Sequence, residues 1–329
     1  MATIGSILHG AYGDYYEQLV CLKHFKRTHP ADRLILFFAS EHRYQELKVL
    51  DLSFADKVHA ASALTSVPVD RFLQYQIKDE ELQADVLAKL PAEILAKFDR
   101  AHLKPWSHMR AMDLRDPAND IGLSPEGRNR LPQVMEGNSL DDAVFQEHFT
   151  VGFLWRHRAT QGAISSSGQT PEQIVLESKA QLFTELIHQY DAHVVVAGMN
   201  AVRTPENWYR IEAKFSDKRL NLPEEHCTYL KGLSWALELE IMRRCSLCIV
   251  MPSGFSEALW MKRSGPTVLV DPPPHYLAKL LWHRMLLFDV KSLADVWFQF
   301  RQPHTAARVM RYLERRGLLP LGALASRGA

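Results

Sequence analysis

The sequence predicts an α/β protein made of two Rossmann-like halves that meet near residue 148. Three observations carry this expectation. Short apolar runs alternate with helix-length segments whose apolar residues recur at three and four, the pattern of a parallel sheet with crossover helices. The alternation occurs twice, before and after a polar stretch at 104–142. A length of 329 residues also exceeds what one core usually holds. The expected divisions are 1–148, 149–302, and a helix and tail at 303–329 packing back on the first half.

In the first half, Thr3 to Leu8 is a compact apolar run followed by His9-Gly10-Ala11-Tyr12-Gly13-Asp14. Tyr16, Leu19, Val20, Leu22 and Phe25 then show helical spacing, which gives strand, glycine loop and a helix from Tyr15 to Arg27. Arg33 to Ala39 is a second buried strand by its continuous apolar character, and Ala55 to Ala60 a third. From Val69 to Leu103 the pattern is helical, with Pro91 dividing it. Lys104 to Asp142 has several prolines and glycines and no sustained period, so it is expected to be a long connection, either solvated or contacting substrate.

The second half opens with the strand FTVGFLWRHR, which ends on Arg156 and Arg158. A helix from Pro171 to Tyr190 follows, with Ile174, Leu176, Leu182, Phe183, Leu186 and Ile187 as its inner face. Ala192 to Gly198 is a β-branched strand, and Thr204-Pro205-Glu206 has the cap and first-position proline of a helix start. Cys227 to Leu230 is a short strand, and Leu233 to Arg244 a helix that Ser234 can cap. Cys248 to Asp271 is the most informative stretch: an apolar run, a Ser253-Gly254 turn, a short helix and a second apolar run. Helices around Tyr276 to His283 and from Thr305 to Arg316 complete the half, with a short run at Met285 to Phe288 between them.

Composition narrows the function. The chain is 47% hydrophobic and 23% charged with a formal net charge of +1, so it has no global field for nucleic acid, and no arginine-rich arm occurs. The amino-terminal apolar run is short and lacks a basic flank, and no stretch has the length needed to cross a bilayer. Four scattered cysteines fit a reduced cytoplasm, with the inner face of the membrane and a peripheral contact there left open. Cys245 and Cys248 form a C-x-x-C, but a second ligand pair is missing, and core cysteines are expected.

The motifs favour phosphate recognition without a metal or a cofactor. Gly5, Gly10 and Gly13 do not have the G-x-G-x-x-G spacing of a dinucleotide site, and neither a P-loop nor a D-x-D or H-E-x-x-H metal motif is present. The amides that open the helix after Ser253-Gly254 suit an anion, since the glycine allows close approach and the helix dipole favours negative charge. Arg156 and Arg158 would add bidentate contacts to a diphosphate. Arg110, Arg115, Arg128 and Arg130, with Trp106 and His108, would suit an anionic or sugar-bearing acceptor.

On these residues the chain resembles glycosyltransferases of the two-Rossmann-domain type, GT-B, and within them the heptosyltransferase-like group. The matching features are Gly10-Ala11-Tyr12-Gly13-Asp14 after the first strand, and the order Leu230-Lys231-Gly232-Leu233-Ser234, helix to Arg244, CIVMPSGFSEAL and GPTVLVDPP. At the turn, where that group has Asp-Ser-Gly-Pro-x-His, this chain has Pro252-Ser253-Gly254-Phe255-Ser256-Glu257. Its strand-end arginine is similar to that of fucosyltransferases. The resemblance implies two Rossmann-like domains facing across a central cleft, with a nucleotide-diphosphate sugar on the second and a glycan or glycolipid acceptor on the first. It implies Asp14 as general base, donor-binding by Arg156, Arg158, Ser234, Ser253, Gly254, Phe255, Ser256 and Glu257, and acceptor-binding by Gly13, Tyr15, His102, Trp106 and Arg110. His9 and His102 are substitute bases, and helix capping is the alternative role of Asp14. A sugar-nucleotide epimerase or hydrolase of the same fold, and a non-catalytic nucleotide-sugar-binding module, stay open.

Overall fold

The computed structural model describes residues 1–9, 12–39, 44–45, 48–73, 90–99, 114–155, 171–202, 210–214, 220–230, 234–262, 265–272, 292–301 and 304–320. The chain folds as two compact units. The first comprises Met1–Leu131 with Ser234–Leu239 and Glu257–Lys262; the second comprises Pro132–Leu233 with Glu240–Ser256 and Arg263–Ala329.

The first unit is built on β1 (Thr3–Leu8), β2 (Arg33–Phe38), β3 (Lys57–Ala60), β4 (Arg71–Leu73) and β5 (Phe98–Asp99), paired in parallel in the order β3-β2-β1-β4-β5. β1 and β2 are buried along almost their whole length, which is why they read as unbroken apolar runs. Helix α1 (Tyr12–Thr28) follows β1 and buries Tyr15, Tyr16, Leu19, Val20 and Leu22. Under the sheet, Ile7, Ile35, Phe37, Phe72 and Ile94 form one cluster.

Two expectations for this half are corrected. Where a helical pattern divided at Pro91 was expected over 69–103, the described residues form β4, β5 and the one-turn helix α2 (Ala92–Leu95), while 74–89 and 100–103 lie outside the described residues. Strands of two and three residues are too short to impose a period of two, so the leucine spacing around them dominated the reading. The stretch at 104–142 likewise holds a 3₁₀ turn at Pro117–Asn119 and the 12-residue helix α3 (Pro125–Glu136). Ser124 caps α3 by accepting the Gly127 N–H at 3.1 Å, and Pro125 takes its first position. Gly127, Leu131 and Met135 are its buried residues, a face too narrow for a strong periodic signal.

The second unit repeats the plan. Its strands are β6 (Phe149–Trp155), β7 (Ala192–Val202), β8 (Arg210–Lys214), β9 (Cys227–Tyr229), β10 (Leu247–Val250) and β11 (Thr267–Leu269). Parallel pairing gives the order β9-β7-β6-β10-β11. Numbering only these five parallel strands gives 3-2-1-4-5, the same order as the first sheet. The departure is β8, which pairs antiparallel with the far half of β7 beyond a register shift at Met199/Asn200; the helix expected at Thr204 lies outside the described residues, as do the expected elements at 276–288.

The second unit also holds α4 (Asp142–Glu147), α5 (Pro171–Tyr190), α8 (Leu293–Phe300) and α9 (Ala306–Arg315), whereas α6 (Trp235–Arg244) and α7 (Gly254–Lys262) are divided, with 235–239 and 257–262 counted in the first unit and 240–244 and 254–256 in the second. α5 has the bounds expected from its sequence. α9 packs on α5 and shares the core of the second unit through Ala306, Val309, Met310 and Leu313. Gly152 sits where a Cβ would meet Cys248 Sγ at 2.7 Å, Met242 Cε at 2.9 Å and Cys245 Sγ at 3.1 Å. Cys245 and Cys248 are buried free thiols that fill this space.

A buried ionic cluster fastens the carboxyl-terminal helices. Lys179 of α5 is 1% exposed, and its Nζ lies 2.7 Å from Asp271 Oδ2 and donates to the His304 carbonyl at 2.9 Å. His304 Nδ1 lies 2.7 Å from the Asp271 backbone nitrogen and 3.2 Å from Asp271 Oδ1, and its Nε2 lies 2.8 Å from the Phe298 carbonyl oxygen. Burial works to raise the Asp271 pKa. The His304 contacts and the Lys179 ammonium outweigh it and hold the carboxyl at about 2.

Two buried histidines give the fold a pH dependence. Burial pushes His9 from 6.5 down to about 4, and His193 is lowered by burial and then by His148 and His226. Both folded-state values lie below the unfolded one, so the unfolded chain binds more protons as pH falls through 6.5. The stability present above that pH is lost progressively toward 4. Urea unfolding at about pH 7 and about pH 5 should show a loss that His9→Gln reduces by roughly 2 kcal/mol; equal losses in both proteins would contradict the assignment.

Candidate active site

In open parallel sheets ligands bind outside the carboxyl ends of the strands, at the point where the strand order reverses. That point falls between β1 and β4 in the first unit and between β6 and β10 in the second. Among the described residues, Gly13 and Asp14 follow β1 and Ser253 to Glu257 follow β10.

At the second, the ends of β6 and β10 are locked side by side. The Met251 N–H donates to the Leu154 carbonyl at 3.1 Å, and the Val270 N–H to Val250 at 2.9 Å. The chain leaving β6 proceeds to Arg156 and Arg158, which lie outside the described residues; the chain leaving β10 enters Pro252-Ser253-Gly254. There Ser253 Oγ accepts the Ser256 N–H at 3.0 Å, and Ser256 Oγ accepts the Ser253 N–H at 2.8 Å. The Ser256 hydroxyl also donates to the Ser253 carbonyl at 2.7 Å. This reciprocal pair is a capping box with serine in place of glutamate. It commits two amides of the turn and leaves Gly254, at the first helical position, outside the box.

The box changes how the predicted donor residues are understood. Ser256 is 0% exposed with its hydroxyl used in both directions, so its work is to fix the helix start. Ser253 is the cap itself. Phe255 and Glu257 are buried in the first turn of α7, and Gly254 is half-buried. Ser234 is the cap of α6: its carbonyl accepts from Leu237 and Glu238 at 3.1 Å and its Oγ from the Leu237 N–H at 3.4 Å.

At the first place, β1 ends at Leu8, His9 follows it, and α1 begins at Tyr12. Gly13 and Asp14 are therefore second and third residues of the helix, and Asp14 is not its N-cap, a correction to the expected start at Tyr15. A half-buried carboxylate in the first turn complements the helix dipole. Gln18, which sequence reasoning did not single out, ties the two sides of the loop together: its Nε2 donates to the His9 carbonyl at 2.8 Å and the Asp14 carbonyl at 2.9 Å. Only its spacing of four from Asp14 hinted at this. His9 is neutral at physiological pH and, with a pKa near 4, a weak base.

Tyr15 is corrected as an acceptor contact. It is 1% exposed and stacks on Phe38 with ring centroids 5.6 Å apart, because it shares a helix face with Leu19 and Leu22. The arginines of the polar stretch do not converge either. Arg128 donates to the Leu123 carbonyl at 2.6 Å, Arg130 lies 3.7 Å from Glu126, and the Arg115 guanidinium sits 4.9 Å above the Trp260 ring. His102, Trp106 and Arg110 lie outside the described residues. No group of three or more metal-ligating side chains occurs among the described residues.

Two Rossmann-like units of the same strand order give the chain a GT-B fold. Solved structures share it. The glycosyl transferase family 9 protein of Veillonella parvula DSM 2008 matches with a TM-score of 0.55 and 11% identity, covering 95% of this chain and 96% of that one. ADP-heptose lps heptosyltransferase II of E. coli matches with a TM-score of 0.54 and 13% identity over 99% and 100%. The E. coli heptosyltransferase WaaC, solved with ADP-2-deoxy-2-fluoro heptose, matches with 0.51 and 10% over 95% and 99%. No family model matches the sequence, and no curated protein does.

The capping box is directly testable. Ser256→Ala should lower unfolding stability by about 1 to 2 kcal/mol, as loss of a cap does, whereas a Tm equal to that of the unaltered chain would show that the box does not hold the turn.

Proposed function

We propose that this chain is a glycosyltransferase that moves a sugar from a nucleoside diphosphate to a hydroxyl of a glycan or glycolipid, in the synthesis of a surface polysaccharide. The observation that carries the reading is the locked pair of strand ends in the second unit. One of them leads to Arg156 and Arg158, and the other opens a capped helix at Gly254. In this reading Arg156 and Arg158, next in sequence after β6, and the start of α7 supply a diphosphate with positive charge without a metal, and the same charge stabilises it as leaving group. The likeness to structures named as heptosyltransferases, one of them solved with an ADP-sugar, supports a nucleotide-sugar donor.

In the proposed reaction Asp14 takes the proton of the acceptor hydroxyl as its oxygen attacks the anomeric carbon, and the bond to the diphosphate breaks with its electrons leaving to the diphosphate oxygen. His9 is the weaker candidate for this step because its imidazole binds a proton only near pH 4.

Two measurements test the parts separately. Arg156→Ala or Arg158→Ala should weaken nucleoside diphosphate binding in calorimetry by about 1.5 to 3 kcal/mol for the arginine that makes the charged bond; unchanged affinity in both removes the donor assignment. Asp14→Asn should keep Tm and donor affinity while turnover falls roughly 10²- to 10⁴-fold. A stable variant with near-normal turnover would move the base to another group.

A further inference from the structure

Helix α8 buries two polar residues beside one core aromatic and leaves large apolar side chains outside. Its hidden side holds polar groups: Asp295 is 1% exposed and Gln299 3%. Asp295 is held by the Ser292 hydroxyl at 2.9 Å and by Arg316 at 2.6 Å, and Gln299 donates to the Leu269 carbonyl at 3.0 Å. Phe298 stacks beneath them on Tyr312 at 3.9 Å. The outer side shows Leu293, Trp297 and Phe300, which are 86%, 61% and 41% exposed. Spacings of four and three put these three on one line along the helix. Three large apolar side chains in one exposed line form a patch rather than scattered single exposures, which is the kind that marks an interaction surface.

The stripe is bordered by positive charge. The Arg301 guanidinium lies 5.2 Å from the Trp297 ring, and Arg308 donates to the Arg301 carbonyl at 2.5 Å. Arg308 begins a row on α9 that continues with exposed Arg311 and Arg315. Across described residues 292–320 the only acids are Asp295, paired with Arg316, and Glu314.

We propose that this surface docks on an anionic lipid bilayer, with Leu293, Trp297 and Phe300 at the boundary between headgroups and acyl chains and the arginines against lipid phosphates. An apolar line with a tryptophan, edged by cations, has the chemistry of helices that lie in that boundary. Charge complementarity selects the bilayer over a second copy of the chain, because two such surfaces face to face would oppose arginine to arginine. The inference stands without the glycosyltransferase reading. If both hold, it brings the enzyme to lipid-linked acceptors.

The test is co-sedimentation of the full chain with vesicles of phosphatidylglycerol and phosphatidylethanolamine, beside vesicles of phosphatidylcholine alone. Binding is expected only to the first and should be released by high salt. Trp297→Ser should lower the partition coefficient about tenfold or more, and Arg301→Gln roughly fivefold, with unchanged Tm. Leu293→Ser, at the most exposed of the three positions, serves the same purpose if the tryptophan variant loses stability. The proposal falls if the chain ignores anionic vesicles, binds neutral ones equally well, or binds undiminished in the Trp297 and Leu293 variants. It also falls if ultracentrifugation without vesicles finds a dimer that Trp297→Ser abolishes, since the stripe would then seat a second copy.

Discussion

Everything in this molecule follows from parallel strand pairing. A parallel neighbour cannot be reached by a tight turn; the chain must cross over, and each crossover returns it to the same edge of the sheet. In each unit the first strand, β1 or β6, receives its neighbours on opposite sides in succession, which generates the 3-2-1-4-5 order twice. The carboxyl ends of these hub strands are thereby left next to the reversal of strand order, where no crossover helix covers them. His9 with the start of α1, and the turn at 251–257, occupy those ends because of topology, before any of their side chains is considered.

The same constraint explains what was legible in the sequence. Strands buried on both faces must be apolar throughout, so β1, β2, β6, β7 and β10 announced themselves, and α5 was bounded correctly by its wide inner face. The elements that escaped are those whose signal is short or whose partners are distant. β4 and β5 have three and two residues. α3 shows the core little more than Leu131 and Met135. α8 hides Asp295 and Gln299, the reverse of what periodicity looks for. At the site, the Ser-Gly turn was readable from glycine and serine chemistry. The division of labour between Ser253 and Ser256 was not, because which hydroxyl caps depends on where the helix begins. Tyr15 was misjudged although its spacing from Leu19 and Leu22 already placed it on the core face.

Buried charge is used in this protein as a fastener. Lys179, Asp271 and His304 join α5, the end of β11 and the approach to α9. In the first unit Lys262, 0% exposed at its side chain, donates to the Ile121 carbonyl at 2.6 Å and lies 3.4 Å from Asp120, which also accepts from the Tyr16 hydroxyl at 2.9 Å. Such pairs add little net stability over a well-packed apolar substitute, yet removing one partner strands the other in a medium of low polarity. Their contribution is to define where a segment must sit.

The paired serines at the start of α7 carry a last consequence. A turn that orders itself only when a ligand arrives subtracts that ordering from the affinity. Here the ordering belongs to folding, since each hydroxyl holds the other's amide in place. A guest at this turn therefore meets a finished mould. Its fit is decided by backbone shape, so altering what the turn accepts by substitution inside it means first dismantling the helix that the turn begins.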